Sequence, residues 1–332
     1  MLLRQFKGTG PGTIFLIIVT LLAVWTSAFI KLQSHFSLYF DLDPMPLYGI
    51  LSNLIGTKPL PGIIFTLSLV SLMAFFMVNL NTSIFFINER TFLPGLIYIL
   101  LSGFFPQYQL LNPAIFAAMF LMLAIRRIMD AYRIQGTAYN FFDAGILIGV
   151  GSLFYANLIW FGLLVIIGIA LLRTESTKEI AISVIGLITP YVLTFGIYYV
   201  SGKNIKDLLS TMEYNLFGQP AEYVFTRLTV VALIFAGLST LVSIIYLYML
   251  INTKKIKSRK TFFLLIWLFV ISLGVYFMVP SVSVEIVWIT GIPVSYFWTH
   301  YFVFVKKKLV PEIFFTVLFV FILLIQIWYL KG

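Results

Sequence analysis

The chain has 332 residues, of which 61% are hydrophobic, 17% aromatic and only 10% charged, with a mean hydropathy of +1.03. A soluble domain carries about a quarter charged residues, so this composition excludes one and describes a polytopic membrane protein. The formal net charge of +10 comes with no RNA- or DNA-binding motif, there is no cysteine, and the two histidines are far apart; nucleic-acid binding, disulfides, thiolate chemistry and a His-rich metal site are set aside.

At about 20 apolar residues per span, the sequence predicts eleven crossings, near 12–31, 60–87, 91–106, 113–130, 140–155, 157–173, 179–200, 224–251, 261–279, 284–304 and 311–330. The first apolar run follows a basic start but lacks a small-x-small cleavage site before Lys31, so it reads as an uncleaved helix. The whole chain, 1–332, is then one all-α integral-membrane domain with no soluble domain and no internal repeat.

Between the first two spans lies an external loop, 32–59. Asp43-Pro44 reads as a helix start, with Asp as N-cap and Pro at the first helical position. The helix it opens is short and amphipathic, with Met45, Leu47, Ile50, Leu51, Leu54 and Ile55 on one side and Ser52 and Asn53 on the other. Such a helix lies in the membrane interface and holds Asp41 and Asp43 at the water–lipid boundary.

Further along, Asp130 is placed to pair with Arg126, Arg127 or Arg133, and Asp143 begins a helix just inside the membrane. Acids at that depth are costly; Asp143 is either a functional group or a first-turn carboxylate favoured by the helix dipole. Gly145, Gly149 and Gly151 form a face of small residues that lets helices approach closely. The runs on either side of Tyr155-Ala156-Asn157 can also be read as one long segment. A second external amphipathic segment, 201–223, carries Leu208, Leu209, Met212, Leu216 and Phe217 at helical spacing and adds Asp207, Glu213 and Glu222. Glu285 reads as another first-turn acid, and the many Phe and Tyr side chains read as lipid-facing or interfacial.

Lys and Arg orient the chain. With the N-terminus cytoplasmic and the C-terminus external, only Lys31, Lys58, Lys203, Lys206, Arg227 and Lys331 of the 22 basic residues face outward. Asp41 and Asp43 then face outward too.

No P-loop, dinucleotide-binding, nucleophile-elbow or H-E-x-x-H motif is present. What remains is an arrangement suited to transfer from a lipid-linked donor. A boundary carboxylate takes the proton of an acceptor hydroxyl or binds a divalent cation. Lys203, Lys206, Arg227 and His35 are the groups that can hold the phosphate of a polyprenyl carrier. Asp143, Glu222 and Glu285 are secondary candidates.

Two stretches carry a family resemblance. FDLDPMPLY, after an N-in first helix and before an interfacial helix, resembles the first external loop of GT-C class integral-membrane glycosyltransferases. RRIMDAYRIQGTAYNFFDAGILIGVGSLFYANLIWFGLLVIIGIALLR is similar to their mid-chain pattern of a basic inner loop, an Ala-Gly…Gly…Gly helix and a closely following apolar helix. The chain also looks like an uncharacterised family of bacterial polytopic membrane proteins related to that class. The resemblance implies a GT-C-like fold in the bacterial cytoplasmic (inner) membrane, Asp41 or Asp43 as catalytic carboxylate, and a polyprenyl-phosphate sugar as donor. The chain departs from the class in having D-L-D followed by prolines in place of a D-E pair, and no large external domain follows its last span. A second reading is a non-catalytic subunit or scaffold that binds a partner protein in an envelope complex. A third is a transporter, against which stands the scarcity of ionisable residues inside the spans.

Overall fold

The computed structural model describes residues 2–32, 39–55, 58–132, 138–172, 177–218, 223–307 and 309–331. His35, Glu222, Arg133, Arg173 and Lys308 lie outside the described residues. Among the described residues every regular element is a helix: α1 Leu2–Phe6, α2 Pro11–Ile30, α3 Tyr39–Leu42, α4 Pro46–Ile55, α5 Pro59–Ile84, α6 Leu93–Leu101, α7 Pro113–Asp130, α8 Ala138–Ser152, α9 Gly162–Leu172, α10 Thr177–Val200, α11 Ile205–Phe217, α12 Arg227–Leu250, α13 Ile256–Met278, α14 Val287–Phe304 and α15 Leu309–Lys331. Proline opens α2, α5, α6 and α7, where its missing N–H leaves no hydrogen bond unmade.

Six of these are long and apolar enough to cross a membrane: α2, α5, α10, α12 with the turn that extends it to Thr253, α13 and α15. The chain is a multi-pass membrane protein. Large apolar side chains stand exposed along α10 and α12, as on Val192 (61%) and Ile234 (58%), and lipid is the solvent that suits them.

The remaining five expected spans coincide with shorter helices, α6, α7, α8, α9 and α14. The sequence predicts a helix over 91–106, yet α6 stops at Leu101. Its end is held by side chains from elsewhere. Gln109 donates from Nε2 to the carbonyls of Ser102 (3.3 Å) and Val24 (3.1 Å), and Gln326 donates to the Gly103 carbonyl (2.8 Å). Ser27 of α2 donates in turn to the Gln326 carbonyl oxygen. Backbone groups freed inside an apolar protein thus find partners, which lets the chain turn early. The segment around Tyr155-Ala156-Asn157 is likewise two pieces, a 3₁₀ turn at Ala156–Phe161 followed by α9.

The core is built around α14, which is buried from Trp288 to Phe302 except at Thr290. Its aromatic residues are not lipid-facing, contrary to the sequence reading. They carry polar tips that need protein partners: Tyr296 donates to the Met77 carbonyl (2.8 Å), Trp298 to Thr240 Oγ1 (3.0 Å), and the Trp288 carbonyl accepts from Tyr98 (2.9 Å). Elsewhere α8 and α10 pack with almost no separation. A Cβ on Gly145 would overlap the Ser183 carbonyl, and one on Gly186 would overlap the Phe142 carbonyl.

The connections sort to two ends. At the basic end the N-terminus meets the start of α15, where Leu3 N–H donates to Glu312 (3.0 Å), and Lys7 donates to the Phe302 carbonyl (2.6 Å). At the loop end Lys31 donates to the Tyr329 carbonyl (3.1 Å), and Leu47 N–H donates to the Leu153 carbonyl (3.1 Å). Asp41, Asp43, α11 and Glu285 are all at this loop end.

Candidate functional site

Asp43 does not cap a helix. α4 begins at Pro46, and the Asp43 carboxylate points away to accept from Thr211 Oγ1 of α11 at 2.8 Å. A charge-assisted bond to a separate element outcompetes the local cap. Asn215, one turn further along α11, donates from Nδ2 to the Asp43 carbonyl (2.7 Å) and to the Thr211 carbonyl (2.9 Å). The backbone carbonyl of Asn215 accepts from Asn157 Nδ2 at 3.1 Å, and Asn157 also donates to Ser281 Oγ at 3.0 Å. Ser281 closes the chain by donating to the Leu216 carbonyl (2.8 Å). Asn157, Asn215 and Ser281 are buried, and Asn157 Oδ1 has no hydrogen-bond partner among the described residues.

Asp41 is the exposed carboxylate of the pair, in the four-residue α3. The buried Tyr48 hydroxyl donates to its Oδ1 at 2.9 Å and lies 3.2 Å from the Leu111 carbonyl. Burial pushes the Tyr48 phenol up, and the neighbouring Asp41 charge pushes it further, so Tyr48 stays a donor.

Glu285 is the acid that sequence reasoning underrated. It sits in a 3₁₀ turn before α14, only 2% exposed, and its Oε1 accepts from Tyr155 OH and from Ser283 N–H, both at 3.0 Å. Burial raises its carboxyl above the ordinary value, while these hydrogen bonds oppose the rise. Burial raises the Tyr108 phenol, the nearby Glu285 carboxyl adds to the rise, and the Ser283 side chain opposes it. Tyr223 packs on Tyr108 and Phe105, ring centroids 6.0 and 5.2 Å away, and burial pushes its phenol up to about 12. Tyr155 is two residues from Asn157 and Glu285 four from Ser281, so the acid and the polar chain adjoin.

Three of the expected phosphate-holding cations lie outside any ion pair with these acids among the described residues. Lys203, Lys206 and Arg227 are exposed, Lys203 lying over the Tyr198 ring (5.3 Å), and none is paired with Asp41 or Asp43. His35 and Glu222 fall outside the described residues. Among the described residues no group of three or more His, Cys, Asp or Glu is placed to hold a metal ion. Asp143 lies at the opposite, basic end in an ion pair with Arg127 (3.5 Å), and Asp130 makes no such pair among the described residues.

Asn157 and Asn215 were legible only as polar residues interrupting apolar runs. The Tyr155-Ala156-Asn157 break between two spans was such a signal, and nothing in the sequence tied it to α11.

The profile of a family of unknown function (DUF6427) matches residues 44–331, and the chain belongs to that family. The matched segment begins directly after Asp43 and contains Tyr155, Asn157, Thr211, Asn215 and Glu285. No curated protein and no solved structure matches the chain.

Proposed function

We propose that this member of the family of unknown function (DUF6427) crosses a bacterial cytoplasmic membrane eleven times, N-terminus inside, and transfers a sugar from a polyprenyl-phosphate donor at its outward-facing loop end. In this reading α6, α7, α8, α9 and α14 supply the five shorter crossings, and the concentration of Lys and Arg at the other end supports the orientation. The observation that carries the reading is the polar chain Asp43–Thr211–Asn215–Asn157–Ser281, half-buried at Asp43 and Thr211 and buried from Asn215 on, with Glu285 and Tyr155 beside it. Polar groups are costly to bury in an apolar protein, and their collection at one end, under two helices that lie in the interface, is what a site for a polar headgroup requires.

Asp41 is the base. It takes the proton of the acceptor hydroxyl as that oxygen bonds to the anomeric carbon, and the polyprenyl phosphate departs with the electron pair of the broken carbon–oxygen bond. Asp43 is a positioning residue that fixes α11 against the first external loop. Glu285, held by Tyr155 and Ser283 beside the polar chain, is a second hydrogen-bonding group for the sugar. The test is lipid-nanodisc purification followed by mass spectrometry for bound polyprenyl phosphate, with wild type and Asp41→Asn. Bound carrier in both, with a sugar-loaded carrier accumulating only in the variant, supports transfer; absence of any carrier overturns it.

A partner-binding subunit is the second reading, and one observation favours it. An apolar groove of about 350 Å³ beside α11, lined by Trp160, Leu163, Phe217 and Met278 among others, is open on the surface. Co-purification of one stoichiometric protein that is lost in Leu163→Arg selects this reading.

A further inference from the structure

We propose that the cleft between α7 and α8 at the basic end binds a zwitterionic phospholipid headgroup carrying one phosphate and one primary ammonium. The cleft holds about 500 Å³, and its polar wall is Arg126, Arg127, Asp130 and Asp143. Its apolar floor is Leu123, Ile146 and Leu147. α7 runs toward this end and α8 away from it, so each floor residue lies about one helical turn, roughly 5 Å, deeper toward the middle of the protein than the charges. That is the polarity gradient of a phospholipid, headgroup outward and acyl chains inward.

The charges decide which headgroup. Arg127 and Asp143 form an ion pair at 3.5 Å with side chains 51% and 41% exposed. Arg126 and Asp130, one turn apart on α7, have no side-chain partner among the described residues. Guanidinium groups hold a phosphate through paired N–H donors, and carboxylates accept hydrogen bonds from a primary ammonium. Two cations against two acids give no net attraction for an anionic lipid, and a quaternary ammonium offers Asp130 and Asp143 no N–H. Topology alone asks only for the arginines; the acids beside them, Asp130 on α7 and Asp143 on α8, are the feature that calls for a zwitterion.

The test is competitive retention. The full chain is reconstituted in nanodiscs of equal parts phosphatidylethanolamine, phosphatidylcholine and phosphatidylglycerol, stripped with mild detergent, and the retained lipids are counted by native mass spectrometry. Phosphatidylethanolamine should be enriched about tenfold over the other two. Arg126→Gln should lower its retention several-fold, and Asp130→Asn should erase the preference over phosphatidylcholine; neither residue holds another element in place, so both variants fold. Soluble phosphoethanolamine should not displace the lipid, because it lacks the chains that the floor holds. Equal retention of the three lipids, preference for phosphatidylglycerol, displacement by soluble phosphoethanolamine, or unchanged preference in both variants overturns the proposal.

Discussion

The Thr211 hydroxyl donates to Asp43 Oδ1 at 2.8 Å across 168 residues of sequence, and one turn later Asn215 donates to the Asp43 carbonyl at 2.7 Å. Two neighbouring side chains of α11 therefore hold both the side chain and the backbone of one residue in the segment between α2 and α4. The loop's position depends on this clamp more than on its own helix-start chemistry.

Removing the clamp should loosen the loop without unfolding the spans. Asn215→Leu deprives the Asp43 carbonyl of its donor at a buried position and should cost about 1–3 kcal/mol. Hydrogen exchange in nanodiscs should show amides of α3 and α4 exchanging at least tenfold faster, with α5 and α13 unchanged. Protection equal to wild type in α4 would refute the clamp.

Asp41 and Asp43 should differ in what they do to activity. In the proposed transfer Asp41 is the base, and loss of a general base costs about 10²–10⁴ in rate, so on that reading Asp41→Asn should lower sugar transfer by at least a hundredfold with an unchanged melting temperature. Thr211→Val, which releases Asp43 but leaves Asp41 intact, should lower the melting temperature and retain part of the activity. Single-turnover transfer from a polyprenyl-phosphate sugar, measured beside thermal unfolding, separates the two.

How far the sequence carries is clear from these residues. The six long apolar helices are readable because a 20-residue apolar run has little choice but to be a helix, and Leu208, Leu209 and Met212, read at helical spacing, lie on α11. The Asp43 cap fails because local capping is worth about 1 kcal/mol, and a bond to a residue far along the chain, invisible in sequence, outweighs it. In sequence α14 reads as an ordinary span because periodicity cannot tell lipid from protein as the apolar surrounding. Its Tyr, Trp, Ser and Thr residues, each needing a hydrogen-bond partner, are the local sign of burial inside a bundle. The burial of Glu285 follows from the same packing and was equally hidden.

The α8–α10 contact gives a test of architecture. Gly186→Ala puts a Cβ onto the Phe142 carbonyl, a backbone atom that cannot swing aside. The two helices must separate, at a cost of about 1–3 kcal/mol. Gly196→Ala, where a Cβ meets nothing within 4 Å, is the control and should be neutral or slightly stabilising. Thermal unfolding of both variants in the same nanodiscs decides; equal melting temperatures would mean the helices are not as close as described.

Glu285 sets a pH dependence whose sign follows from its burial. Its carboxyl is raised above the ordinary value of 4.5, so the folded protein holds it neutral where an unfolded chain would ionise it. A group raised in this way contributes fully below about pH 4.5, and that contribution is lost as the pH climbs through its elevated value. Stability relative to a variant that cannot ionise should therefore fall from acid to neutral pH. Glu285→Gln keeps an oxygen to accept from Tyr155 and Ser283 and removes the charge; it should melt like wild type near pH 4.5 and increasingly above it as the pH rises. Glu285→Ala, which leaves a void beside Tyr155, should be less stable than both at every pH, by about 1–3 kcal/mol. Parallel melting curves for wild type and Glu285→Gln from pH 4.5 to 8.5 would show that the carboxyl is not buried as described. If transfer activity is in hand, the same variant separates two roles: a neutral donor is replaced by the amide with modest loss, whereas a group that must give up its proton is not.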